Sequence, residues 1–212
     1  MGEVILIYGK SGTGKSRSLV NFGEDEIYLV QTIKKRLPFK KQFKYTSITD
    51  NVLTIMAGLQ KMGEFGIKTA VIDDAGYLMT NEFMKRHSGN KKGASSFDLY
   101  NDIADNFWQL INSVKALPDD VLVYIIMHED ANDYGDVKLR TIGKLLNDKV
   151  CIEGMCTVVL RCVIENTKHY FLTQATDKDI SKSPEGMFDE LRIENDLKAV
   201  DERIRQFWDF AK

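Results

Sequence analysis

Residues 9 to 16 read Gly9-Lys10-Ser11-Gly12-Thr13-Gly14-Lys15-Ser16, which meets the pattern G-x-x-x-x-G-K-[ST] at every fixed position. The chemistry open to such a run is specific. Its glycines let successive backbone N–H groups turn inward around phosphate oxygens, and a helix that follows adds the positive end of its dipole. Lys15 offers a point charge to the β- and γ-phosphates of ATP, and Ser16 offers a hydroxyl to Mg²⁺. ATP and Mg²⁺ are therefore the expected ligands.

A triphosphate site needs a second element to hold its metal. Ala70-Val71-Ile72-Asp73-Asp74 is an apolar run ending in two acids. Asp73 at its tip would hold Mg²⁺ directly or through water, and Asp74 would polarise an attacking water. The pair also suits a helix cap. Many ATPases carry a glutamate in the Asp74 place or on a neighbouring strand, so Glu129 stands as a second candidate base. A further apolar run ends Ile126-Met127-His128-Glu129-Asp130, where His128 is the candidate sensor of nucleotide state; an ordinary loop histidine is the plainer reading. His87 and His169 have no comparable context.

These residues must be placed by strands and helices. Strands are expected at 3–8, 27–30, 43–47, 68–73, 121–127, 157–165 and 168–174, and helices at 15–22, 50–62, 98–116 and 193–211. The alternation argues an α/β fold with a mostly parallel sheet flanked by helices. Ala70-Val71-Ile72 and Val121 to Met127 are apolar without a break, as strands buried on both faces are. Asn166-Thr167-Lys168 predicts an antiparallel hairpin at one edge. Helix 98–116 aligns Ile103, Phe107, Leu110, Ile111 and Val114; helix 193–211 aligns Ile193, Leu197, Val200, Ile204, Phe207 and Trp208. The terminal stripe would pack on the core or on a neighbouring subunit. No repeat or linker divides residues 1–212, so one domain is expected.

The chain has 212 residues, 43% of them hydrophobic, enough for a full core. No apolar stretch approaches the roughly 20 residues that span a bilayer, and no leader is expected ahead of the first strand. Cys151, Cys156 and Cys162 lack C-x-x-C spacing, which suggests buried thiols in a reducing compartment, the cytoplasm. Net charge is −2, but residues 31–47 carry Lys34, Lys35, Arg36, Lys40, Lys41 and Lys44 with no acid. Residues 84–97 carry Lys85, Arg86, Lys91 and Lys92 with none. Such local patches suit a polyanion or, more plainly, solvated loops.

The order of motifs resembles the RecA and AAA+ branch of P-loop NTPases, in which the sensor strand lies between the loop strand and the metal strand. More narrowly, the chain resembles phage-encoded RecA-like ATPases described as AAA-domain nucleotide-binding proteins, including single-strand annealing proteins of the Sak type. Beside the three motifs above, Thr141-Ile142-Gly143-Lys144-Leu145-Leu146-Asn147-Asp148-Lys149-Val150 leading into Thr157-Val158-Val159-Leu160 carries the resemblance. So does Lys182-Ser183-Pro184-Glu185-Gly186-Met187-Phe188 ahead of the terminal helix. It implies a RecA-like core, a DNA-linked ATPase, assembly into a homo-oligomeric ring or filament, and annealing rather than strand exchange. A phage single-strand-binding protein is an implied partner, the host cytoplasm the implied compartment, and no membrane is involved. In that group the loops after the metal and sensor strands face single-stranded DNA. Here they are 84–97, with Lys85, Arg86, Lys91 and Lys92, and 130–150, with Lys138, Arg140, Lys144 and Lys149 and Tyr134 for stacking. A neighbour's lysine completes such sites, and Lys178 and Lys182 are placed for that. Two alternatives remain open: a small-substrate kinase with 84–92 as its lid, and a nucleotide-gated DNA-binding module without turnover.

Overall fold

The computed structural model describes residues 1–87, 94–143 and 145–210. Lys91, Lys92 and Lys144, expected at the DNA-facing loops, lie outside the described residues. The first strand, β1 (Glu3–Gly9), is apolar from Val4 to Ile7 and buried from Val4 on because it runs through the middle of a sheet. β2 (Ile27–Gln31) and β3 (Tyr45–Ile48) follow, then helix α1 (Val52–Lys61), β4 (Thr69–Asp73) and helices α2 (Gly76–Arg86) and α3 (Ala94–Val114). β5 (Leu122–Ala131) and β6 (Val137–Leu139) precede β7 (Val158–Glu165), β8 (Lys168–Leu172), β9 (Arg192–Glu194) and α4 (Leu197–Phe207).

The strand order is β3-β2-β4-β5-β1-β7-β8-β9, with β6 paired to β5. β3 through β7 in that path are parallel, and β8 and β9 add antiparallel strands at the edge. β5 thus lies between β1 and β4, so the tips of three adjacent strands bear the loop, His128 and Asp73. The β7–β8 turn puts Asn166 and Thr167 at φ 49° and 67°, the left-handed conformation that a tight two-residue hairpin turn demands.

Alternation along the strands sends Val4, Leu6, Tyr8, Ile72, Ile125 and Met127 to one face, where they meet Ile55 and Leu59 of α1, Leu78 of α2 and Phe107 and Leu110 of α3. Ile5, Ile7, Val71, Tyr124 and Ile126 face the other way, toward Leu19, Phe22, Phe43 and Leu197, Val200 and Ile204 of α4. The C-terminal helix therefore buries its stripe on its own sheet.

Several expectations change. Residues 193–211 are not one helix, since Ile193 pairs with Phe171 in the sheet. Asp196 then starts α4, its side chain accepting from the Lys198 and Ala199 amides at 3.0 and 3.2 Å. The helix expected at 15–22 is a 3-10 helix over Ser16–Asn21. Residues 76–86, read in part as a loop, form α2, and 137–139 form β6.

A buried polar cluster ties α4 down. Asp201 accepts from Thr69 Oγ1 at 3.0 Å, Tyr124 Oη at 3.1 Å and Arg205 Nε at 2.7 Å. Arg205 also donates to the Asp120 carbonyl (2.8 Å), the Lys68 carbonyl (3.2 Å) and Thr69 Oγ1 (2.9 Å). Asp201→Ala would strand a buried guanidinium and two hydroxyls, so it should destabilise the fold by about 3–5 kcal/mol in urea unfolding. A loss under about 1 kcal/mol would show that water replaces the carboxylate there.

Candidate active site

The phosphate loop leaves β1 at Gly9 and is shaped by close approach. A Cβ at Gly9 would lie 2.4 Å from the Cys162 carbonyl oxygen, so β7 admits only glycine there. Gly14 has φ 100°, and a Cβ on it would sit 2.8 Å from His169 Nδ1 and 3.0 Å from Asn195 Oδ1. The loop rests on these groups. Cys162 Sγ donates to the Thr13 carbonyl (2.9 Å), His169 Nδ1 lies 2.7 Å from the same oxygen, and Asn195 Nδ2 donates to Cys162 Sγ (3.1 Å). A carbonyl only accepts, so His169 donates through Nδ1. His169, without context in the sequence, is a buttress of the loop. Lys10, Ser11 and Gly12 are exposed at the loop's crown, and Thr13 Oγ1 donates to the Lys10 carbonyl at 2.9 Å.

Lys15 is buried and donates to the Gly9 and Lys10 carbonyls at 2.8 and 2.7 Å. Burial lowers its pKa, against the pull of Cys162, Asp74, Asp73 and Glu129. Ser16 Oγ donates to both oxygens of Asp73, at 2.9 and 3.0 Å. The hydroxyl and the carboxylate are hard oxygen donors converging from two elements, a donor set that fits Mg²⁺. Burial and the charge of Asp74 raise the Asp73 pKa, opposed by Lys35, Ser16 and Lys15.

Asp74 follows β4 with φ 58°, a left-handed conformation that aspartate tolerates better than most residues. Thr32, just past β2, pins it: its Oγ1 donates to the carbonyls of Asp73 (3.1 Å) and Asp74 (2.8 Å). The Asp74 carboxylate is buried, in direct contact with Lys35 Nζ, and 3.9 Å from His128 Nδ1. Lys35 Nζ also lies 3.9 Å from Asp73 Oδ2. His128 faces Gly9 in the β1–β5 register. Its pKa is lowered, by burial first and then by Lys15, so at neutral pH the ring is an uncharged donor and acceptor. Tyr77 stands edge-on to it, ring centroids 6.1 Å apart.

Glu129, the second candidate base, is held in an ion pair, as Asp74 is by Lys35. It is buried, and Arg161 of β7 grips it with Nε at 2.9 Å and Nη2 at 3.1 Å. This paired ionic contact crosses over β1 and holds β5 to β7.

Of the expected DNA-facing cations among the described residues, Lys85 and Arg86 are held in close ion pairs, and Lys138 and Lys149 are exposed. Lys85 sits in the last turn of α2 and pairs with Asp50 at 2.6 Å, so it is not on a mobile loop. Arg86, beside it, the one arginine of the kinase-type lid, pairs with Glu82 and Asp102 at 2.6 Å each. Arg140 lies 4.0 Å from Asp130, and Lys138 is exposed on β6 opposite that same aspartate. Lys149 is exposed in a helical turn, and Tyr134 is 83% exposed at the β5–β6 turn. Lys178 Nζ donates to the Tyr134 carbonyl (3.1 Å), and the Lys182 backbone pairs with Val159, both bonds at 2.8 Å. Lys34, Arg36, Lys40 and Lys44, on the β2–β3 connection (residues 32–44), are exposed with no carboxylate partner among the described residues. That connection is held by buried Phe43, and by Lys41 Nζ donating to the Val20 and Phe22 carbonyls at 2.6 and 2.5 Å.

Lys35, Thr32 and Arg161 were not singled out by sequence. Only Arg161 left a signal, a charge inside the apolar run Val158 to Val163.

The AAA domain family matches residues 1–184. No curated protein matches the chain.

Two outcomes test this geometry. Gly14→Ala should lower ATP affinity at least about tenfold while leaving the fold intact, because its methyl meets His169 and Asn195 at a left-handed φ; undiminished affinity would mean the loop is not seated as described. Burial pushes the Cys162 thiol up to about 11 and Cys156 up to about 12, whereas Cys151 is exposed. At pH 8, below both values, those two stay protonated, so native protein should alkylate quickly at Cys151 and at the others only on unfolding. Rapid labelling of Cys162, located by peptide mapping, would refute the seating of the loop on β7.

Proposed function

The chain belongs to the AAA-domain family of P-loop ATPases, and on that premise we propose that it is a Mg²⁺-dependent ATPase that works on single-stranded DNA as a homo-oligomer, in phage recombination by annealing. The observation that carries the ATPase reading is the contact of Ser16 with Asp73, which brings loop and acid strand together at 2.9 Å. Backbone amides of residues 9–16 and the Lys15 ammonium bind the triphosphate. Ser16 and Asp73 hold Mg²⁺, which neutralises phosphate charge when bound. Asp74 orients a water whose oxygen attacks the γ-phosphorus. The bond from that phosphorus to the bridging oxygen breaks, ADP leaves with the electron pair, and the water's proton passes to Asp74. His128, uncharged and 3.9 Å from Asp74, is placed to read whether the terminal phosphate is present.

The DNA reading is supported by the cations of the β2–β3 connection. A segment anchored at Phe43 and Lys41 holds Lys34, Arg36, Lys40 and Lys44 outward without immobilising them on acids. Contacts of this type bind backbone phosphates with little sequence preference. Tyr134 offers a single stacking surface. Lys178 or Lys182 of a neighbouring copy completes the site, and a single-strand-binding protein is the fitting partner.

ATP turnover measured with and without oligonucleotide tests the reading. Stimulation is expected; turnover that ignores DNA, or transfer of phosphate to a small acceptor, would displace it in favour of a kinase. Binding of DNA under ATP control with no hydrolysis would instead favour a gated module. Lys34→Glu, Arg36→Glu and Lys40→Glu together should weaken binding at low salt and flatten the slope of log K against log salt by about 2. An unchanged slope would move the DNA surface elsewhere.

A further inference from the structure

Two buried carboxylates on consecutive residues share one ammonium. Lys35 Nζ touches Asp74 and lies 3.9 Å from Asp73 Oδ2, while Asp73 accepts the Ser16 hydroxyl. Lys35 is thereby linked through one carboxylate to the pair suited to Mg²⁺. Its exposure differs from theirs: the lysine side chain is 40% exposed, the two acids 1% and 6%. Its backbone is held, because Gln31 Nε2 donates to the Lys35 carbonyl at 3.1 Å and Thr32 fixes the turn opposite. The four-carbon stem is left as the movable part. Its neighbours in sequence, Lys34 and Arg36, are exposed on the connection, and Lys15 is committed to the loop carbonyls.

We propose that Lys35 is a ligand of the terminal phosphate supplied by the same chain, exchanging Asp74 for a γ-phosphate oxygen when ATP binds. The exchange is electrostatically even-handed. A lysine ammonium is a compact charge that binds a carboxylate or a phosphate oxygen, and a terminal phosphate offers more negative charge than one carboxylate. Lys35 also differs from a neighbour's finger in acting without assembly. ADP lacks the group that Lys35 would grip, so Lys35 should contribute to ATP binding and not to ADP binding. This rests on the ATP-binding reading of the site, and the two fail in different ways.

The test is the affinity of Lys35→Met for ADP and for a non-hydrolysable ATP analogue, each with Mg²⁺, by calorimetry at a concentration where the protein is monomeric. Affinity for the analogue should fall about tenfold, with ADP affinity within about twofold of the unaltered protein. Lys35→Arg should restore most of the preference, and Lys35→Gln gives the same ratio should the methionine variant aggregate. Equal losses for both nucleotides would make Lys35 a structural counter-ion and overturn the inference. Tighter binding of the analogue would overturn it too, by making Lys35 a barrier. Failure of the unaltered protein to bind ADP would sink the site reading itself.

Discussion

Two adjacent carboxylates, Asp73 and Asp74, are buried at the end of one strand, and their charge has to be balanced there. Most of the site follows from that constraint. Burying a lone carboxylate is costly enough that the group would take up a proton instead. The fold supplies a hydroxyl from the loop to Asp73, an ammonium from the β2–β3 connection to Asp74, and a threonine that holds the backbone between them. They come from the loop after β1 and the connection after β2, so the acids can exist only where β1, β2 and β4 end at the same level. The parallel register of Gln31 with Asp73, and of Gly9 with His128, sets that level.

The same logic explains how the neighbouring strand is fixed. Glu129 is a third buried acid, and Arg161 answers it from two strands away. Removing either partner of such a pair is more damaging than replacing both by apolar groups, so it specifies position more than it adds stability. Its effect is to hold the tips of β5 and β7 on either side of the loop. His128, one residue before Glu129, is positioned by that clamp. On the opposite end of the sheet, Arg205 and Asp201 do for α4 what Arg161 and Glu129 do for β5.

Legibility in the sequence followed the distance between partners. The loop was readable because its chemistry needs contiguous residues, and Asp73 because its strand is apolar on both faces. The place of β5 between β1 and β4 came from motif order and agrees with the pairing found. Lys35 was not readable: it is one of six cations in a short run, and its partner lies 39 residues away. Arg161 and Thr32 find their partners 32 and 42 residues away. For the same reason the acids that meet Lys85 and Arg86 were not readable. Lys85 meets Asp50 across 35 residues and Arg86 meets Asp102 across 16, so these two cations find acids that lie outside their own stretch of sequence. α2 escaped because its apolar face is narrow, with Leu78 and Met79 its buried residues, too few to mark a helical period.

Charge counting bears on the proposed hydrolysis as well. Lys15, Lys35 and Arg161 stand against Asp73, Asp74, Glu129 and Asp179, whose Oδ2 lies 4.0 Å from Arg161 Nη1, three cations against four acids. A magnesium-bound triphosphate still carries net negative charge, so its arrival leaves this balance short of one or more cations. Moving Lys35 from Asp74 to a phosphate oxygen does not alter the sum. It changes which group is left uncompensated, and the group left is Asp74. An uncompensated buried carboxylate is a stronger base than a paired one. The remaining deficit is then at the phosphate, where a cation from outside the chain has most effect on the developing charge. A site short of positive charge in this way would gain most from a cation carried by a neighbouring copy, the arrangement proposed for this ATPase.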